Sequence, residues 1–315
     1  MQSHLVFPAP LLLKPTSSLV DSDAAKPLLL KPTSALIESV AVKPLLLKPT
    51  FMESARYIGR IKKLTNPKMC VRPLAAGGKT FTLFDDGGLV GGTKQRMLGR
   101  LVGEIDAAEF VYAGPNIGIA QLALAYSCGL WGKKATVFLN SHSSSMNSYT
   151  EAALLHGASV RHAPRRQGRT LAETQAEARA YAAKRPRRCL LPFGLGSPPG
   201  GLFFDALREA IVEALPADIA PPARLWLVAG SGFLFSVLHS IWPSTELMIV
   251  QVGRKIWPDQ LDGMKAQLFV APERFAETAI VQPPYPTVPK YDAKVWGFVM
   301  AHGRSGDAIW NVASA

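Results

Sequence analysis

The sequence predicts an α/β fold of two lobes, each built on a mainly parallel sheet, with a cleft between them. Three observations carry that expectation. Strand-like and helix-like patterns alternate along most of the chain, and such alternation packs helices onto parallel strands. Several glycine- or proline-rich turns each follow an apolar run and precede a helical one, the arrangement that puts ligand sites at the carboxyl ends of parallel strands. The chain has 315 residues and is 48% hydrophobic, enough to bury the cores of two lobes.

The elements follow in order. Phe81 to Phe84 reads as a strand. It runs into Asp85-Asp86-Gly87-Gly88-Leu89-Val90-Gly91-Gly92-Thr93-Lys94, and a helix follows with Met97, Leu98, Leu101 and Val102 as its apolar positions. Glycines in such a loop let the backbone approach a bound group. A lysine at its end is a candidate Schiff-base former, because a desolvated amine gives up its proton and becomes nucleophilic. Taken alone, the stretch also reads as a surface turn with an exposed lysine.

Glu109 to Ala113 is a buried-strand pattern, then come the turn Gly114-Pro115-Asn116 and an apolar helix to about Leu130. Lys134 to Leu139 is the next strand, and His156 to Val160 reads as a helix end followed by a strand. Leu171 to Ala183 is helical. Leu191 to Leu202 is a Pro/Gly-rich segment leading into a helix from Phe204 to Ala214. Leu225 to Ala229 is a strand, Gly230-Ser231-Gly232 a tight turn, and Phe233 to Ile241 a helix. A Gly-Ser-Gly turn at a helix N-terminus is a natural phosphate cradle. Pro283-Pro284-Tyr285-Pro286-Thr287 is too proline-rich for a regular element, so Tyr285 either lines the cleft as a proton donor or simply packs.

In this order the four segments resemble the fold-type II pyridoxal-phosphate enzymes, the tryptophan synthase β-like family, over roughly Phe81 to Gly253. Within it they look nearest to the aminocyclopropane-carboxylate deaminase and D-cysteine desulfhydrase branch. The acidic pair Asp85 and Asp86, the loop Gly91 to Lys94 and the stretch Pro192 to Ser197 match that branch. The resemblance implies pyridoxal 5′-phosphate as cofactor, held covalently by Lys94. It implies Asn116 as partner of the ring's phenolic oxygen, and Gly230, Ser231 and Gly232 as phosphate ligands. It also implies a partner for the pyridine nitrogen near Ala301 to Gly306, with Ser305 the better chemical match and His302 its competitor. A homodimer is common among resembling enzymes.

Two departures stand out. Pro115 has no N–H to donate and Ile117 brings no hydroxyl, where the family's loop grips a carboxylate. The branch's Ser-Asn-His signature is absent as well. A pocket that does not clamp the carboxylate would suit an enzyme that expels it. The loop Gly91 to Arg96, the turn Tyr112 to Asn116 and the run Tyr291 to Trp296 are also similar to bacteriophage pyridoxal-phosphate proteins, some of them acting in thymidine hypermodification. That resemblance implies decarboxylation of an amino-acid-modified thymidine in DNA. The alternatives are a deaminase or desulfhydrase of a small free amino acid, or an inactive member that binds nucleic acid.

The net charge of +12 has two concentrations, Arg161, Arg165, Arg166 and Arg169, then Lys184, Arg185, Arg187 and Arg188. They read either as a solvated basic surface or as a polyanion-binding patch. Cys70, Cys128 and Cys189 have no metal-ligand spacing and sit in apolar contexts, which suggests buried thiols in a reducing cytoplasm and no metal site. No apolar run approaches the ~20 residues of a membrane span, and Met1 to Pro15 lacks the basic start of a signal peptide. Pro-Leu-Leu-Leu-Lys-Pro-Thr recurs from Pro10, Pro27 and Pro44, which suggests a repetitive arm over residues 1–50. The layout expected is this arm, a larger lobe from 51–106 and 193–315, and a smaller lobe from 107–192.

Overall fold

The computed structural model describes residues 51–115, 117–141, 147–163 and 169–314. The repeat arm, Asn116, Arg165 and Arg166 lie outside the described residues.

Helix α1 (Phe51–Thr65) leads into a hairpin of β1 (Cys70–Ala76) and β2 (Lys79–Asp85). Its two-residue turn is Gly77-Gly78, with φ of 57° and 73°, a backbone that glycine adopts without a side-chain clash. Then follow α2 (Thr93–Glu104), β3 (Glu109–Gly114), α3 (Ala120–Leu130), β4 (Lys134–Leu139), α4 (Ser148–Leu155), β5 (Ser159–His162), α5 (Leu171–Ala183) and β6 (Arg188–Leu190). The rest comprises α6 (Leu202–Ala214), β7 (Arg224–Ala229), α7 (Phe233–Ile241), β8 (Glu246–Gln251), β9 (Ala266–Val270), α8 (Val295–His302) and β10 (Ala308–Asn311).

The strands form two sheets. One is β5-β4-β3-β6, parallel throughout. The other is β1-β2-β10-β7-β8-β9, parallel except for the β1 edge. Strands β3 and β7 are buried at every position, as expected of central strands covered on both faces. The architecture is the α/β, mainly parallel arrangement that the alternating pattern predicts.

The last strand, β10, does not add to an edge. It inserts between β2 and β7 and brings residues distant in sequence into register: Trp310 pairs with Phe84 on one side and Ile309 with Trp226 on the other. The Trp310 and Phe84 rings stack at 5.8 Å, nearly parallel. This insertion sets the ends of β2, β10, β7 and β8 side by side. All four run in the same direction, so the loops that leave their carboxyl ends converge on one side of the sheet.

Candidate active site

The loop before Lys94 is built for packing. Asp86 is fully buried and takes the Arg96 guanidinium on one oxygen, at 2.9 Å from Nε and 2.6 Å from the terminal nitrogen. Its other oxygen accepts from the Thr93 hydroxyl at 2.7 Å. Burial pushes the Asp86 carboxyl above its ordinary pKa, with Arg96 and Thr93 pulling against it. Thr93 in turn accepts from the Trp310 indole at 3.1 Å, and Arg96 donates to Asn66 and Pro67. Asp85 is tied to Arg72 and Asn311. The acidic pair thus locks the first turn of α2 to the sheet.

Gly91 and Gly92 serve the same packing. A β-carbon on Gly91 would lie 2.5 Å from the Ala123 backbone, and one on Gly92 would lie 2.4 Å from the Val312 carbonyl. Gly92 also has φ 58°, in the left-handed region. The close approach expected toward a bound group is therefore made toward α3 and the end of β10.

So braced, α2 carries Lys94 to the wall of a cavity of about 520 Å³, within the usual range for small-molecule sites. The cavity is lined from both sheets. Tyr112, Pro115 and Tyr149 come from the four-stranded side, and Lys94, Gly230 to Gly232, Tyr291 and Asp292 from the six-stranded side. The Lys94 amine has no hydrogen-bond or ion-pair partner among the described residues. Burial lowers its pKa, partly opposed by Asp292.

Asp292 is 2% exposed, and neither carboxylate oxygen has a hydrogen-bond partner among the described residues. Burial lifts its pKa to about 8, and the amides of Val312 and Ala313 and the Lys94 charge pull it down without closing a geometrically sound bond. A buried carboxyl left without partners costs stability and is kept where something else meets it. Tyr291 lines the cavity beside it, and burial holds its phenol above the usual pKa. Tyr149, from the start of α4, is a further lining phenol, also raised by burial.

The turn Gly230-Ser231-Gly232 ends β7 and opens α7. A β-carbon on Gly230 would stand 3.2 Å from the Tyr291 hydroxyl, and Gly232 has φ 87°. The turn is also braced from behind by Gln260, which donates to the Ser231 carbonyl at 3.2 Å. Phe193 to Leu195, the turn after β6, lines the cavity too, and Leu195 is the one non-glycine residue with positive φ among the described residues (58°). Such strain concentrates at functional sites.

The structure thus brings Lys94, Gly230, Ser231 and Gly232 to one cavity. It puts other candidates elsewhere. Ser305 precedes β10, at the end of the sheet away from the cavity, where its hydroxyl accepts from the Thr80 amide at 3.3 Å. His302 stacks on Phe269, with ring centres 5.5 Å apart. Tyr285 is 6% exposed, is not among the cavity-lining residues, and meets Trp296 edge-on at 5.9 Å. Cys70, expected to be buried, is exposed because it opens the edge strand β1. Asp292, Tyr291, Tyr149 and Arg254 were not singled out from the sequence as site residues, though the run Tyr291 to Trp296 drew notice. The signal available for Asp292 is a lone acid between the proline-rich loop and the apolar helix α8.

The basic clusters are partly structural. Arg188 pairs with Glu109 at 2.7 Å and lies over the Tyr181 ring at 3.7 Å, and Arg161 covers the same ring. Against the opposing effect of burial, hydrogen bonds from Thr136, Arg188 and Tyr181, with the Lys134 charge, hold the Glu109 carboxyl down at about 2. Arg187 pairs with Asp106 at 2.9 Å and Arg169 with Glu177. Among the described residues no cluster of His, Cys, Asp or Glu could hold a metal, and no helix is long and apolar enough to cross a membrane.

No family model matches the sequence, and comparison with curated proteins finds no match. Similar solved structures are found. An ACC deaminase homologue superposes with a TM-score of 0.61 at 14% identity, over 82% of this chain and 94% of that one. The processed form of threonine deaminase isoform 2 from Solanum lycopersicum gives 0.59 at 11% identity, over 85% and 86%. The O-acetylserine-dependent cystathionine beta-synthase from Helicobacter pylori gives 0.57 at 14% identity, over 81% and 95%. The fold is that of the fold-type II pyridoxal-phosphate enzymes.

Proposed function

We propose that the protein is a pyridoxal-phosphate-dependent lyase of the deaminase type, acting at the α-carbon of an amino acid. One observation carries this reading: an amine, Lys94, and a buried carboxyl, Asp292, both without side-chain partners among the described residues, line one cavity beside a Gly-Ser-Gly turn at a helix N-terminus. The donor set fits the cofactor. Lys94 would hold it covalently, the amides at the start of α7 would take its phosphate, and Asp292 would meet its ring N–H. Pyridoxal phosphate supplies an electron sink for negative charge on the α-carbon.

The chain's own groups do the rest. Burial lowers the Lys94 pKa, which raises the neutral fraction able to act as nucleophile or to accept a proton at Nζ. The raised pKa of Tyr291 keeps its hydroxyl protonated, a donor beside Asp292. Tyr149 offers a second hydroxyl from the opposite wall. Phe193, Phe233 and Phe275 make much of the remaining lining apolar and restrict water.

Deamination is favoured over the decarboxylation of a modified thymidine. The neighbours include an ACC deaminase homologue and two threonine deaminases, and a diaminopropionate ammonia lyase from Escherichia coli also shares the fold. Of the arginines that suggested DNA, Arg169, Arg187 and Arg188 are committed to carboxylates in the protein.

The test is reductive trapping. Wild-type protein mixed with pyridoxal phosphate and borohydride should yield a peptide carrying the reduced cofactor on Lys94 by mass spectrometry. Lys94→Ala should give none. Label on another lysine, or none in the wild type, would overturn the reading.

A further inference from the structure

We infer that Arg254 is the carboxylate anchor of this cavity, so that the substrate presents a free carboxylate; the inference rests on the function proposed above.

The loop after β8 is pinned on both sides of this residue. Val252 is 1% and Ile256 2% exposed, and the Ile256 amide donates to the Gln251 side chain at 2.7 Å. Between them Gly253 turns with φ 80°, packed so closely on Phe275 that a β-carbon would lie 2.6 Å from that ring. Lys255 points away from the cavity set and covers the Trp257 ring at 4.0 Å. The result is a braced turn that holds Arg254 at the cavity wall.

No interaction among the described residues occupies this guanidinium. Among the described residues the Arg254 side chain has neither a hydrogen bond nor an ion pair, unlike Arg72, Arg96, Arg100, Arg188 and Arg224. The charges lining the cavity are Lys94, Arg254 and Asp292. Asp292 and Lys94 each favour the other's charged form, which leaves Arg254 as the lining cation without a counterpart among the described residues. Among the described residues at the end of β3, Pro115 lacks an N–H and the side chains of Ile117 and Ile119 are apolar, so none of these side chains is a carboxylate partner. A guanidinium fork matches a carboxylate in shape and charge. The cofactor phosphate is the other oxyanion in reach of such a group, but the Gly-Ser-Gly turn and the α7 N-terminus already provide for it.

The experiment compares wild type, Arg254→Gln and Arg254→Lys as full-length, cofactor-loaded protein. Each is titrated with amino acids and with the matching amines that lack the carboxylate: L-serine against ethanolamine, L-threonine against 1-aminopropan-2-ol, and L-phenylalanine against phenethylamine. The cofactor's absorbance reports binding, and a separate titration gives affinity for pyridoxal phosphate itself. Wild type should prefer at least one acid to its amine by about 10- to 100-fold, the value of a charge-assisted hydrogen bond. Arg254→Gln should lose that preference and Arg254→Lys retain part of it, with cofactor affinity unchanged in both. A wild type that treats every acid and amine alike, including by binding neither, overturns the inference. So does an Arg254→Gln protein that keeps the preference, or one whose affinity for pyridoxal phosphate falls, since the anchor would then serve the phosphate. Failure of the trapping at Lys94 would instead remove the underlying function. Arg254 is exposed and has no side-chain partner among the described residues, so its variants should fold with unchanged thermal midpoints.

Discussion

Two buried aspartates stand near the end of strand β10 and could hardly be treated more differently. Asp86 has its oxygens filled by Arg96 and Thr93, and the network continues to Trp310 and Asn66. Neither carboxylate oxygen of Asp292 has a hydrogen-bond partner among the described residues. Burial raises the pKa of both. The protein itself meets the cost of one with a full set of partners and leaves the other for something that enters the cavity. A satisfied buried charge marks framework, and an orphaned one marks a site.

The largest expected effect breaks the framework side. Asp86→Ala leaves the Arg96 guanidinium buried and unpaired, and should cost about 3–5 kcal/mol of stability in urea unfolding. A loss below about 1 kcal/mol would mean that the network is not what holds α2.

The next prediction sharpens the contrast through pH. In the cofactor-free protein Asp292 titrates at about 8, above its ordinary 3.8. A raised carboxyl binds more protons folded than unfolded, so its contribution is complete below about pH 4 and is lost as pH rises through about 8. Asp292→Asn removes that loss. Its thermal midpoint should exceed wild type by several degrees at about pH 9 and converge with it near pH 4. Equal midpoints at both would show that Asp292 already has a partner. The same variant should lose most of its turnover.

A smaller effect separates two tyrosines close in sequence. Tyr291→Phe removes a hydroxyl inside the cavity and should lower kcat by about a hundredfold. Tyr285→Phe alters a ring packed on Trp296 and should leave kcat within about twofold. The reverse order would restore Tyr285 as the proton donor. The least effect is expected of Ser305→Ala, at the far end of β10: cofactor affinity should not change, and a fall in it would return Ser305 to the site.

Much of the architecture was legible because it is local. The limits of β4, α5 and α7 coincide with runs visible in the sequence, since apolar period, a capping box at Thr170 and Glu173, and Gly or Pro punctuation all act over a few residues. Lys94 and the Gly-Ser-Gly turn were legible for the same reason: each sits where a strand pattern passes through a glycine-rich loop into a helix. The role of the glycines before Lys94 was not, because their tight contacts are with Ala123 and Val312, one distant in sequence and the other far more so.

What the sequence determined by itself, then, is the alternation of elements, the parallel character of the sheets and the lysine at a loop's end, all consequences of short-range pattern. Tertiary structure alone decided which of two tyrosines and which of several acids reach the cavity. The cause is the insertion of β10 between β2 and β7, which turns Ser305 away from the site and brings Val312 and Ala313 against Asp292. Strand order is settled by contacts between residues far apart in sequence, and no local pattern encodes them.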